Sequence, residues 1–478
     1  MKLRFICNLA LLLLVLSCKK DFLDVHDNSY VYRQSYVNSL KTMGEFLNGI
    51  YQMNGESIEV YSISAYPEVI SDNIKPVNVL QGDLVSHYAW SQKADATDRS
   101  DRPGRSTTMN GFWKVGYRVI HACSFVLEDV DKYRKDNAIL ADDIKGQAYA
   151  LRAYIHFKLL SVFAQAYQFS LNGDHPGIPY IKTSDISKSY SRQNVNEVYE
   201  AMIADLKMAI SLLPQNVPDT RQMNILAAKG LLARIYLAKG DYINAQQIAS
   251  EVIAKVPLLT IGNGYPTDVF KFKPISNTET LFQSTPSASF PNFLGRVLRS
   301  PLQLYATGDI ASILISNSND IRSSWVTQSA GGWLLTKFPV GVAPEVTIPA
   351  SAQSGAYYSP VIRSSELFLT VAECAYQLGD QDMAKEYLNK IRTRANPGAS
   401  LITETGEELL NRIYEERRKE LCFEGLRMGD LQRWKIGVHR IEAPVATAKD
   451  LPYGSDKAIA PIPPQDVELM GIPQNKGY

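Results

Sequence analysis

Apolar side chains recur at helical spacing through most of the chain. Between 141 and 168, Leu151, Tyr154, Ile155, Phe157, Leu159 and Phe163 fall at intervals that predict one long amphipathic helix. Residues 196–213 repeat the pattern with Val198, Ile203, Leu206 and Ile210 until Pro214, which lacks an amide hydrogen, stops it. Residues 112–133 and 407–424 predict two more helices. Two stretches break the pattern. Residues 57–110 and 257–360 are rich in serine, glycine, proline, asparagine and threonine, with short alternating runs at Trp325-Val326-Thr327 and from Trp333 to Phe338 that predict hairpins. Loops of such length in a folded chain usually carry function. Asn172 to Pro179 is a third, shorter turn-rich excursion.

A repeat underlies the helices. Ala233, Gly240 and Ala245 are spaced seven and then five residues apart, and Ala372, Gly379 and Ala384 repeat those intervals. Small residues let paired helices approach, and glycine gives the turn its backbone freedom. This is the spacing of tetratricopeptide repeats, although Lys229 and Val252 stand where that repeat favours tryptophan and alanine. The expected fold is mainly α: a tetratricopeptide-like superhelix of helical pairs, with long irregular loops and small β-hairpins.

The amino terminus is read separately. Lys2 and Arg4 precede an apolar run from Phe5 to Leu16. This is signal-peptide grammar, and the run is short of the roughly 20 residues a spanning helix needs. Val15-Leu16-Ser17-Cys18 resembles a bacterial lipobox, so residues 1–17 are expected to be a lipoprotein signal peptide, Cys18 the lipidated residue, and 18–478 the mature domain. The plainer alternative is an ordinary secretory signal with an incidental cysteine. Cys7 leaves with the signal, so Cys123, Cys374 and Cys422 remain, an odd and scattered set that forms no disulfide framework and reads as small buried hydrophobes.

Composition narrows the classes. The chain has 478 residues, 45% hydrophobic and 21% charged, as a globular protein should. Its formal charge of +1 gives no electrostatic basis for nucleic-acid binding. The six histidines include no two at metal-ligand spacing, and neither a nucleophile elbow nor a phosphate-cradling loop occurs, so neither catalysis nor a cofactor is expected. Glu416 and Glu420 lie one helical turn apart, but basic residues 417–419 between them favour a structural salt-bridge network over a catalytic pair.

Sugar recognition needs flat aromatic platforms beside polar groups. Trp113 and Trp434 lie among apolar neighbours and read as core. Trp90, Trp325 and Trp333 lie in the polar stretches, with Tyr88 beside the first and Asp320 and Arg322 before the second. These six, Tyr88, Trp90, Asp320, Arg322, Trp325 and Trp333, are the candidate ligand-binding residues. For Asp320 and Arg322, pairing with each other is an equally good reading, and the aromatics can instead pin their own hairpins.

Several segments together resemble one family. The stretches from Gly146 to Phe157, from Tyr190 to Tyr199, at Asp205-Leu206, from Leu232 to Arg234, at Gly240-Asp241-Tyr242, from Glu416 to Trp434, from Ala460 to Pro463 and from Gln474 to Tyr478 are similar, in order, to the SusD/RagB outer-membrane nutrient-binding lipoproteins. Cys422 and Met428-Gly429 depart from the family's usual alanine and aromatics. The resemblance is weakest over 257–350. It implies a lipid-anchored protein at the outer membrane, facing the cell exterior, which captures an oligosaccharide, or in some relatives a peptide, for a SusC-like TonB-dependent transporter. It transfers no ligand residue. The alternative is a tetratricopeptide-like lipoprotein scaffold that binds peptides or a partner protein.

Overall fold

The computed structural model describes residues 36–55, 66–77, 84–94, 108–216, 219–266, 268–270, 279–283, 304–338, 360–443 and 446–478. Cys18 and the expected signal segment, residues 1–17, lie outside them. The helices are α1 (Leu40–Met53), α2 (Met109–Asp129), α3 (Ala138–Phe163), α4 (Val195–Leu212), α5 (Ile225–Lys239), α6 (Tyr242–Ile253), α7 (Gly308–Ile315), α8 (Ser364–Gln377), α9 (Gln381–Ala395), α10 (Gly406–Leu421), α11 (Arg427–Arg433) and α12 (Pro464–Met470). Most start on a side chain suited to the task. Thr108, Asn137, Asn194, Asn224, Asp241, Thr307 and Asp380 each accept a hydrogen bond from a first-turn amide, and Glu197 returns a bond to the Asn194 amide in a capping box.

The helices stack in series, α2 on α3, α3 on α4, α4 on α5, α5 on α6, α6 on α8 and α8 on α9, with α10 behind α8 and α9. The two predicted repeats are the pairs α5–α6 and α8–α9. Their turns place Gly240 and Gly379 at φ +85° and +88°, where a side chain would be strained. Ala233, Ala245, Ala372 and Ala384 are fully buried between the pairs. At Gly146 the α3–α4 contact is closer still: an added Cβ would lie 2.8 Å from Leu213. The mainly α, tetratricopeptide-like reading therefore stands.

The sheets are small. β1 (Ile74–Pro76), β3 (Leu304–Ala306), β5 (Gly332–Leu335) and β4 (Val326–Ser329) form a four-stranded antiparallel sheet in the order β1-β3-β5-β4. β2 (Thr280–Gln283) pairs with β6 (Pro360–Arg363), and β7 (Val438–His439) with β8 (Asp450–Leu451). The expected hairpin is β4–β5, registered from Val326 opposite Leu335 to Ser329 opposite Gly332. It starts one residue later than the pattern suggested, because Trp325 closes the 3-10 turn Ile321–Trp325 instead. The loop-rich stretches also hold the helical turn Val85–Tyr88 and the helix α7.

Candidate functional site

The two loop-rich stretches meet. β1 comes from the first and β3, β4 and β5 from the second, so one sheet joins segments more than 200 residues apart: Ile74 faces Ala306, and Ala306 faces Trp333. On this sheet Trp333 is half-buried between Ala306 and Gln328, the latter exposed. Tyr305, also half-buried, lies across the hairpin turn, its ring 3.0 Å from where a Cβ would stand on Gly332. Lys75, opposite Tyr305, pairs with Glu442 at 3.0 Å.

The other candidates do not join Trp333 on this surface. Tyr88 and Trp90 are 1% and 7% exposed, and the Arg440 guanidinium lies 3.9 Å from one ring centroid and 4.1 Å from the other. Trp90 Nε1 donates to the Ile70 carbonyl, and Arg440 donates to the carbonyls of Val69, Ser71, Tyr88 and Ala448. These aromatics pin the first stretch to the β7–β8 ribbon. Trp325 is 2% exposed, edge-on to Tyr265 and Phe270, with the Lys337 ammonium 4.1 Å above its ring. Asp320 and Arg322 are buried and bonded to each other at 2.7 Å. The expectation that polar sequence surroundings mark an exposed platform is thus corrected for five of the six residues. Trp113 is core as expected, and Trp434 is half-buried, stacked 3.8 Å from Tyr414 with its Nε1 bonded to Glu373.

The segment 416–434 explains how both stretches are held. From α10, Glu420 accepts from Arg322 at 3.0 Å, Arg363 at 2.8 Å and Arg394 at 2.7 Å, and Glu416 pairs with Arg322 at 2.6 Å. Glu424 pairs with Lys337 and Arg363, and Glu279 completes the cluster through Arg363 and Arg394. These acids face the second stretch. Burial alone would raise the Glu420 carboxyl, but Arg394, Arg363 and Arg322 outweigh it and hold it well below the usual carboxylate range.

The intervening residues face elsewhere. Arg418 and Arg427 bind Asp72, and Glu68 accepts from the amides of Phe423, Gly425 and Leu426, all clamping the first stretch. Arg417 and Arg433 share Asp430, and Arg433 also binds Glu373 of α8. The expected salt-bridge network is therefore present, but its partners lie far off in sequence rather than among residues 417–419. Sequence reasoning missed Arg440, Lys337, Arg363, Arg394 and Glu279, single charges in the sequence with no local pattern.

Among the described residues no group of three or more histidine, cysteine, aspartate or glutamate side chains could hold a metal ion. Among them, too, no helix is long and apolar enough to cross a membrane. Cys123, Cys374 and Cys422 are buried, and burial pushes the thiols of Cys123 and Cys422 up to about 12, where a reactive thiolate does not form.

Comparison with known proteins agrees with this architecture. Residues 21–237 match the family described as starch-binding associating with outer membrane, and residues 310–478 match the SusD family. A SusD-like protein of Formosa agariphila is 25% identical over 425 residues, spanning 75% of this chain and 78% of the relative. A solved structure from Bacteroides vulgatus, of a protein with a proposed sugar-binding role, superposes with a TM-score of 0.78 at 28% identity, covering 93% of this chain and 99% of that one. A SusD superfamily structure from Bacteroides thetaiotaomicron gives a TM-score of 0.79 at 24% identity, covering 92% and 100%. The matches, the stacked helical pairs and the clamp built from residues 416–434 lead to one conclusion: this chain belongs to the SusD/RagB family.

Proposed function

We propose that this protein is a lipid-anchored binding protein of the outer membrane, exposed at the cell surface through Cys18, which captures an oligosaccharide and delivers it to a SusC-like TonB-dependent transporter. Family membership supports capture of a nutrient, and the sugar-binding role proposed for the Bacteroides vulgatus relative supports carbohydrate. The observation that carries the reading is the sheet joining the two loop-rich stretches. It presents Trp333, half-exposed, on a frame that the buried charges of 416–434 hold in place, as a preformed binding face requires. Trp333 is the ligand-stacking residue of this proposal. Tyr88, Trp90, Trp325, Asp320 and Arg322 are buried and have no ligand-contacting role in it. No covalent step is needed, because a capture protein must release its ligand. Extraction in mild detergent tests the partnership: the chain is expected to co-purify with a large outer-membrane barrel, and its consistent recovery as a free monomer while the barrel is expressed would contradict it.

A further inference from the structure

Five asparagines precede a glycine in this chain, Asn48, Asn54, Asn110, Asn172 and Asn263, and all lie among the described residues. Such a step is chemically labile, because a following residue without a side chain lets its own amide nitrogen swing onto the asparagine Cγ. The fold restrains four of them. Asn48 lies inside α1, where helical geometry engages the Gly49 amide. Asn54 is 1% exposed. In the first turn of α2 the Gly111 amide donates to Thr108 Oγ1 at 3.1 Å. The Gly173 amide donates to the Ser170 carbonyl at 3.4 Å, and Tyr167 stands 2.9 Å from where a Cβ on Gly173 would lie.

Asn263 is different. It ends the 3-10 turn Ile261–Asn263 with an exposed side chain, whose carboxamide makes no hydrogen bond among the described residues. Among them the Gly264 amide donates none either, although the amides on both sides, of Asn263 and Tyr265, donate to the Thr260 carbonyl at 2.9 and 3.1 Å. The asparagine carboxamide and the nitrogen that would attack it are thus both unengaged.

We infer that Asn263 is the site at which this protein deamidates without an enzyme. The Gly264 nitrogen gives its proton to water and attacks Asn263 Cγ, forming a new C–N bond, while the carboxamide nitrogen takes up a proton and leaves as ammonia. Water then opens the cyclic imide. Cleavage at Cγ leaves aspartate, and cleavage at the backbone carbonyl leaves isoaspartate, whose main chain runs through Cγ. Only water is consumed. Either product puts a negative charge on the uncharged stretch from Thr260 to Gly264, next to Tyr265, whose hydroxyl donates to Glu420 and whose ring lies 3.9 Å from the Arg394 guanidinium. At the other four steps ring closure must first break an amide hydrogen bond or uncover a buried side chain. Each should therefore lag Asn263 by about tenfold or more, the factor that about 1.4 kcal/mol of added barrier produces.

Incubation of the folded protein at neutral pH in heavy-oxygen water, followed by peptide mapping in a mass spectrometer, tests the site. The peptide holding Asn263 is expected to take up the heavy oxygen first, as a mixture of aspartate and isoaspartate. In concentrated urea, where the fold is lost, the five steps should react at similar rates. An Asn263 peptide that stays unmodified in the folded protein, or another of the five reacting ahead of it, would overturn the inference. So would a lag at the other four that persists in urea, because its cause would then be the local sequence and not the fold.

Discussion

Glu420 is fully buried and accepts from Arg322, Arg363 and Arg394 and from the Tyr265 hydroxyl. Removing its charge leaves three guanidinium groups short of a partner in a low-dielectric site, so Glu420→Gln should destabilise the protein by about 3–5 kcal/mol in denaturant unfolding. A loss under about 1 kcal/mol would mean that the remaining acids suffice. His156 gives a prediction in pH. Its Nε2 accepts from the Ile181 amide at 3.1 Å and its Nδ1 lies 2.8 Å from the Arg152 carbonyl, an arrangement that needs the neutral ring. Burial pulls its pKa down to about 3, whereas the unfolded ring titrates near about 6.5. Between those values the unfolded chain binds the extra proton. Stability from this group is therefore complete above about pH 6.5 and falls as pH drops toward 3, by up to about 1.4 kcal/mol per pH unit. His156→Gln should flatten that part of the profile, and an unchanged slope would contradict the assignment. At this scale the sequence was a poor guide to the ligand face. Trp325 and Trp90 sit in polar sequence, yet Lys337 from the end of the same hairpin and Arg440 from the far end of the chain cover their rings.

Helices, by contrast, were legible. Seven-then-five spacing located both helical pairs and their glycine turns, because close packing and positive φ each demand a residue type at a fixed position. Ala233→Leu and Ala372→Leu should each cost about 1–3 kcal/mol by overpacking, and an unchanged unfolding midpoint for both would mean the pairs do not pack through these alanines. Within the stretches 57–110 and 257–360, which the sequence reads as irregular, the described residues include β1, β3, β4, β5 and the helix α7, and α7 went unseen. Its isoleucines give no clean helical stripe, and its start depends on Thr307 accepting from the Ile310 amide. Nor could spacing reveal that β1 pairs with β3, since strands of three residues carry little periodicity and their partners lie over 200 positions away.

For the molecule as a whole, segment 416–434 acts as the keel, with acids toward one loop-rich stretch and Arg418 and Arg427 toward the other. Glu416, Arg418, Glu420, Glu424, Arg427 and Arg433, all within the segment that carries the family resemblance, each have a partner distant in sequence. Anchoring belongs to this scale too: Cys18→Ala should abolish lipid labelling of the protein, and unchanged labelling would place the anchor elsewhere. Calorimetric titration of residues 18–478 with a panel of oligosaccharides and peptides tests carbohydrate capture on the face carrying Trp333. Saturable binding of at least one oligosaccharide is expected, weakened by about 1–3 kcal/mol in Trp333→Ala by analogy with stacking on other ring ligands, with the unfolding midpoint nearly unchanged. Binding of peptides alone, or oligosaccharide affinity untouched by Trp333→Ala, would contradict it.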